Sequence, residues 1–294
     1  MNCHPNKYTY HVQVGDGYAD HAYWGRPEEM DMDRPTFTLT TDKPGSEPTA
    51  EAAAALSTCY LVFKDKVPEL AENCIAHAKD LFDFATQYPA VYSDSIPEVA
   101  DFYKSWNGYQ DELAWASIWL FRATQKLEYL EKALLYYSHN QGGFGWDDKT
   151  AGYQVLMAQL TSDGTFTSDV RNYFSYLENE APRTPKGKFG YLQMTMVHGP
   201  LHLETLGLIW LDAWGSNRHA ANAAFLLMHG MKLERLSPEE KQNFYTLGKS
   251  QIDYILGDSG RSYVVGFGEN PPKNPHHRHW DLLIVRWVYG INEV

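Results

Sequence analysis

Residues 51–63 read EAAAALSTCYLVF, and residues 68–88 read PELAENCIAHAKDLFDFATQY. The first run is strongly helix-prone and almost wholly apolar, which predicts a helix buried on most of its sides. Thr49 stands just before it as a candidate cap. In the second run Pro68 suits a first helical turn, where its missing amide would have no partner in any case. Leu70, Cys74, Ala78, Leu81, Phe82 and Ala85 then recur at helical spacing. Two helices in direct succession, with a short connection between them, set the class as all-α.

Working outward, residues 105–125, SWNGYQDELAWASIWLFRATQ, carry Leu113, Ala116, Ile118, Leu120 and Phe121 as the apolar marks of a third helix. Asp111 and Glu112 at its start complement the helix dipole. Residues 127–140 make a fourth helix, and residues 151–162 and 168–180 two shorter ones. Residues 214–233 read as another. Residues 237–257, SPEEKQNFYTLGKSQIDYILG, open with serine, proline and glutamates in capping positions and end at Gly257. No alternating strand pattern stands out. The helices differ too much for a short-period repeat, and paired helices of roughly 12–20 residues joined by working loops suggest a helical toroid or solenoid.

Composition narrows the partner. A chain of 294 residues with 44% apolar side chains can build a sizeable core, as one large domain or two ordinary ones. A formal net charge of −12 argues against a nucleic-acid backbone or an anionic membrane surface and fits a neutral or cationic ligand. The 9 Trp, 20 Tyr and 13 Phe suit the flat apolar faces of sugars, and large helical cores use such rings as well. The three cysteines, Cys3, Cys59 and Cys74, lack metal-type spacing and leave the redox compartment open. Cys59 and Cys74, in apolar helical surroundings, are expected as buried thiols. No stretch approaches the ~20 apolar residues of a membrane span. The residues after Met1 form no signal peptide, so the start is expected to be internal to a longer parent chain.

Two loops concentrate the polar chemistry. Residues 8–49 are punctuated by glycine and proline too closely for regular elements, and within them Asp20, His21, Tyr23 and Trp24 bunch between glycine turns. That cluster is either a ligand-contact loop or an aromatic plug pinning the loop to the core. Residues 260–280, GRSYVVGFGENPPKNPHHRHW, present His276, His277 and Arg278 on a segment too proline-rich for helix, either as the wall of a site or as a solvated turn.

Five stretches in sequence order, QVGDGYADHAYWGRPEEM, GYQDELAWASIWLFRAT, WDDKTAGYQVLMAQL, DAWGSNRHAANAAF and GRSYVVGFGENPPKNPHHR, resemble glycoside hydrolase family 9, the inverting endo-β-1,4-glucanases, and most closely its animal branch. The resemblance implies an (α/α)6 barrel, formed from a single partial catalytic domain over residues 1–294. It implies that His276 and Arg278 hydrogen-bond glucose hydroxyls beside the cleaved bond, a role suited to fixed guanidinium donors and to imidazole. His21, Tyr23 and Trp24 fall in the family's sugar-contacting loop, which favours the ligand reading over the plug. Trp106, Trp214 and Arg218 fall where the family lines its cleft. Asp111, Glu112 and Asp147, with the backbone at Asn107 and Gly108, match its structural calcium site; the alternative is ordinary helix capping beside a solvated turn. The implied partner is β-1,4-glucan, met by a secreted monomer, with neither nucleic acid nor membrane.

The chain also departs from the family. Inversion requires a carboxylate base and a carboxylic acid on opposite sides of the scissile bond. The family's Asp-Ala-Gly-Asp base motif has no counterpart here, and Asp212, in DAWG, does not replace it. Glu293, in the terminal INEV, is the candidate acid, with a frayed apolar tail as the alternative. Residues 186–211 read as an atypical insertion and residues 279–294 as an atypical tail. The expectation is therefore an incomplete barrel, truncated at both ends, with impaired or no cellulase activity. A non-catalytic glucan-binding protein and a non-functional gene-model fragment are the alternatives.

Overall fold

The computed structural model describes residues 2–161, 163–184 and 207–274. The elements run β1 (Tyr10–Val14), α1 (Gly17–Ala22), β2 (Thr36–Leu39), α2 (Ser46–Phe63), α3 (Pro68–Gln87), α4 (Tyr92–Ser95), α5 (Ala100–Tyr103), α6 (Gln110–Thr124), α7 (Leu127–Tyr136), α8 (Thr150–Leu160), α9 (Gly164–Asn179), α10 (Ser216–Gly230) and α11 (Pro238–Asp253). The all-α class holds. The described residues of Met1–Tyr23 and Asp31–Leu156 form one compact unit, and those of Trp24–Met30 and Met157–Val294 a second.

The first unit is built on α2. Its alanines Ala50, Ala53 and Ala54 are buried against Ile75, Ala78, Leu81, Phe82 and Ala85 of α3 and Leu113, Ala116 and Leu120 of α6. Small side chains on α2 let the neighbouring helices approach closely, and the large ones on α3 and α6 fill the space between. Truncating a fully buried side chain such as Leu81 or Phe82 costs about 2–5 kcal/mol by this logic. The helix begins at Ser46, earlier than the apolar run suggests, with Gly45 as its N-cap. Thr49 is therefore not the cap; its buried hydroxyl donates to the Gly45 carbonyl at 2.7 Å. Pro48 is tolerated because it falls in the first turn, where amides have no helical partner.

Two further expectations change. Residues 8–49 are not all loop: β1 and β2 pair antiparallel, Tyr10 opposite Leu39 and Val14 opposite Thr36, with an irregularity between His11 and Gln13. The hairpin closes a second apolar cluster of Leu39, Phe84, Ile96 and Val99. Its strands are short and far apart in sequence, so local alternation is too weak to announce them. Cys59 and Cys74 are not thiols but a disulfide joining α2 to α3 across a separation of 15 residues. Adjacent antiparallel helices bring the two Cα atoms to 6.1 Å, which spacing along the chain does not reveal. Cys3 is free and exposed.

In the second unit α10 packs on α11, and Phe174 of α9 meets the Phe244 ring of α11 edge-on at 4.6 Å. Gly230 ends α10 against Phe174; a Cβ there would come within 2.3 Å of the ring. Ser237 caps α11 in a reciprocal capping box with Glu240. Arg171 of α9 donates to Glu240 at 2.6 Å, joining the same network.

Candidate functional site

The loop between α5 and α6 and the start of α6 face the turn that precedes α8, all within the first unit. Asp147 accepts the Trp106 amide through both carboxylate oxygens, at 3.0 and 3.2 Å. Asp111 accepts the Lys149 amide at 2.7 Å. The Lys149 ammonium donates to the carbonyls of Gly145 at 2.7 Å and Trp146 at 2.6 Å, and pairs with Glu51 of α2. It stands 3.6 Å from Glu112. One buried lysine thus ties α2, the start of α6 and the WDDK turn together. Asp148 caps α8 by accepting the Thr150 amide at 2.8 Å.

Carboxylates outnumber the local cation. Glu112 is 1% exposed, and burial, then the neighbouring Asp111, pushes its carboxyl up to about 10. Burial also raises Asp111, Asp147 and Glu47 above the ordinary carboxylate range. The Oε2 atom of Glu112 is buried without a hydrogen-bond partner. Hard oxygen donors with an unmet buried lone pair suit a calcium ion. Against that, among the described residues no three His, Cys, Asp or Glu side chains are gathered tightly enough to enclose a metal. Asp111 and Asp147 instead spend oxygens on backbone amides. Gly108, at φ 80°, turns the chain into α6 in a conformation that disfavours a side chain.

Beside this cluster lies an aromatic surface. Trp106 is 74% exposed, with the Lys104 ammonium 4.8 Å from its ring centroid. Tyr103 meets Trp146 edge-on at 5.3 Å. An exposed tryptophan beside a carboxylate-rich turn can stack on a sugar face while oxygens accept from its hydroxyls. On the preceding loop, Asp16 caps α1, His21 donates to the Gly17 carbonyl at 2.8 Å, and the imidazole packs on Phe102 at 4.8 Å. Tyr23 follows as the α1 C-cap. The His21 ring is thus partly pinned and partly presented.

In the second unit Trp24 and Trp214 are 61% and 82% exposed. Asp212 accepts the Trp214 amide at 2.6 Å, and Gly215, at φ 68°, opens α10. Arg218 meets His219 at 2.8 Å, and its Nε is buried without a partner. The 260–274 loop is braced by Ser262 donating to the Glu269 carbonyl at 2.7 Å and Asn270 donating to that of Gly260 at 3.1 Å. Gly268 lies at φ 79°, where a Cβ would come within 2.5 Å of the Leu256 carbonyl. His276, Arg278 and Glu293 lie outside the described residues, as does most of the 186–211 stretch. Glu47, Glu51 and Lys149 are the site residues that motif reading passes over. The charges interrupting SEPTAEAAAAL, opposite the lysine of WDDK, are the signal that would have found them.

The family model described as glycosyl hydrolase family 9 matches residues 1–285. An endoglucanase from Dictyostelium discoideum is 41% identical over 278 residues, covering 90% of this chain and 35% of its own. The structure of an endoglucanase from the termite Nasutitermes takasagoensis superposes with a TM-score of 0.83 at 42% identity, covering 94% of this chain and 59% of that one. Endoglucanase CelQ from Clostridium thermocellum, solved in complex with cellotriose, gives a TM-score of 0.75 at 34% identity, over 94% of this chain and 44% of that one. The chain therefore spans well under two thirds of the relatives it matches.

Proposed function

This chain belongs to glycosyl hydrolase family 9, with the (α/α)6 fold of that family, and we propose that it carries the glucan-gripping part of an endo-β-1,4-glucanase site. The observation that carries the reading is the exposed Trp106, whose amide is held by Asp147 beside the Tyr103–Trp146 pair. The names of the relatives and the cellotriose bound to CelQ support the substrate class. His21, Tyr23 and Trp24, together with Trp214, Arg218, His276 and Arg278, are the further glucan contacts we assign. Glu293 is the acid we assign for inversion, and the 294 residues contain no Asp-Ala-Gly-Asp stretch to supply the base. Calcium would be held by Asp111, Glu112 and Asp147 with the backbone at Asn107 and Gly108, neutralising buried carboxylates and fixing the turn that bears Trp146; it takes no part in bond breaking. The disulfide fits an oxidising, extracellular setting. No helix among the described residues is long and apolar enough to cross a membrane.

Calorimetric titration with cellohexaose tests the reading. Saturable binding is expected, weakened about tenfold or more in Trp106→Ala through loss of a stacked ring. An unchanged affinity in that variant, with the fold intact by circular dichroism, would overturn it.

A further inference from the structure

In the second unit the guanidinium of Arg218 is held by an imidazole. Its Nη2 atom stands 2.8 Å from Nε2 of His219, the next residue on α10. A guanidinium has no acceptor atom, so the direction of the contact is fixed. Arginine donates, and the imidazole accepts through an unprotonated Nε2, with its proton on Nδ1. Among the described residues the imidazole, and no carboxylate, is the side-chain partner of this guanidinium. Gly215 flanks the same group: a Cβ built there would lie 3.5 Å from the Arg218 Nε and 3.7 Å from Nη2. A carboxylate partner would neutralise the arginine and occupy its fork. A neutral acceptor fixes one N–H and leaves the positive charge and further donors for an incoming oxygen.

The contact exists in one protonation state of the ring. A second ring proton would take the Nε2 lone pair and set an imidazolium beside a guanidinium. Burial, then the Arg218 charge, hold the His219 imidazole below its ordinary value, and Asp212 opposes them. Arg218 and Asp212 are the charged groups acting on the ring among the described residues, and the Asp212 carboxylate also accepts the Trp214 amide. The contact is therefore complete above the depressed value and lost as pH falls through it. We infer that His219 is a positioning residue for glucan binding: as a neutral imidazole it holds Arg218 in place for a sugar hydroxyl, and on protonation it lets go. The inference rests on the assignment of Arg218 as a glucan contact and adds what orients that contact and what switches it off.

The test titrates the full chain with cellohexaose by calorimetry from about pH 7.5 down to about pH 4.5, beside nitrogen-resolved NMR of the His219 ring. At neutral pH the ring should be unprotonated at Nε2. His219→Phe, which deletes the acceptor, should weaken cellohexaose about tenfold, and His219→Gln, whose side-chain oxygen can stand where Nε2 stood, should restore it. In the unaltered chain the affinity should fall by a similar factor as His219 takes up its second proton, a fall that His219→Gln lacks. Arg218→Met should weaken cellohexaose and raise the pH at which the ring titrates, because the neighbouring charge is gone. A ring protonated at Nε2 at neutral pH, an affinity indifferent to its titration, or an acid fall retained in His219→Gln would each overturn the proposal and leave the glucan reading standing. So would an Arg218→Met variant that binds cellohexaose as tightly as the unaltered chain. No saturable cellohexaose binding by the unaltered chain would overturn both. Should His219→Phe fail to fold, the paired titrations of the unaltered chain and of His219→Gln decide the matter.

Discussion

Reducing the Cys59–Cys74 bridge isolates one structural link. The bond closes a segment with a sequence separation of 15 and ties α2 to α3, the helix pair at the centre of the first unit. Chain-entropy reasoning for a loop of about this length assigns it roughly 3 kcal/mol at 25 °C, by restricting the unfolded ensemble. For a unit of about 150 residues, each kcal/mol moves Tm by roughly 2–4 °C, so complete reduction should lower the first transition by about 6–12 °C. Differential scanning calorimetry with and without a phosphine reductant measures this. Thiol titration beforehand should find one free thiol, from Cys3, in the native chain and three after reduction. Two results would refute the reasoning. One is a fully reduced chain whose transition moves by less than about 2 °C. The other is a Cys59→Ala/Cys74→Ala variant that loses as much again on adding reductant.

Gly230→Ala should cost about 1–3 kcal/mol in urea unfolding, because the new methyl would meet Phe174 at 2.3 Å in a filled interior; a neutral result would show that α9 and α10 part easily. Ser237→Ala should cost about 1 kcal/mol through loss of the α11 cap. The same network predicts a pH effect. The Arg171 guanidinium holds the Glu240 carboxyl below its ordinary value, so that pair's stabilisation is present above the ordinary glutamate range and fades as pH falls through the depressed value. Glu240→Gln should flatten that acid limb. Calcium at about a hundredfold its Kd should raise stability by about 2.7 kcal/mol, an increment absent with EGTA and in Asp147→Asn; thermal melts with no calcium dependence would remove the assigned ion. Finally, the 294-residue chain should release no reducing sugar from carboxymethylcellulose above a heat-killed control, since it contains no Asp-Ala-Gly-Asp base motif.

Legibility followed the range of the interactions. Pro68 at a helix start, the Ser237 capping box and the apolar periodicity of α3 are local, and the helices they predict are present. The β1–β2 pairing and the Cys59–Cys74 bridge join residues that only folding makes neighbours, and both escaped a reading along the chain. The α2 start slipped from Glu51 to Ser46 because its first turn is held by groups elsewhere: the Ser46 hydroxyl donates to the Ala85 carbonyl at 2.9 Å.

By itself the amino-acid order determined the helical class, the family and the residue types available for gripping a sugar, because periodicity, caps and loop motifs are written in consecutive residues. Tertiary structure alone decided which charges share a space. Glu47 and Glu51 from α2, Glu112 from α6 and Lys149 from the turn before α8 are up to about a hundred positions apart, yet they meet around one cavity and one buried ammonium. Burial gives that meeting its force: the same carboxylates in water would be ordinary acids, while inside the first unit each needs a partner.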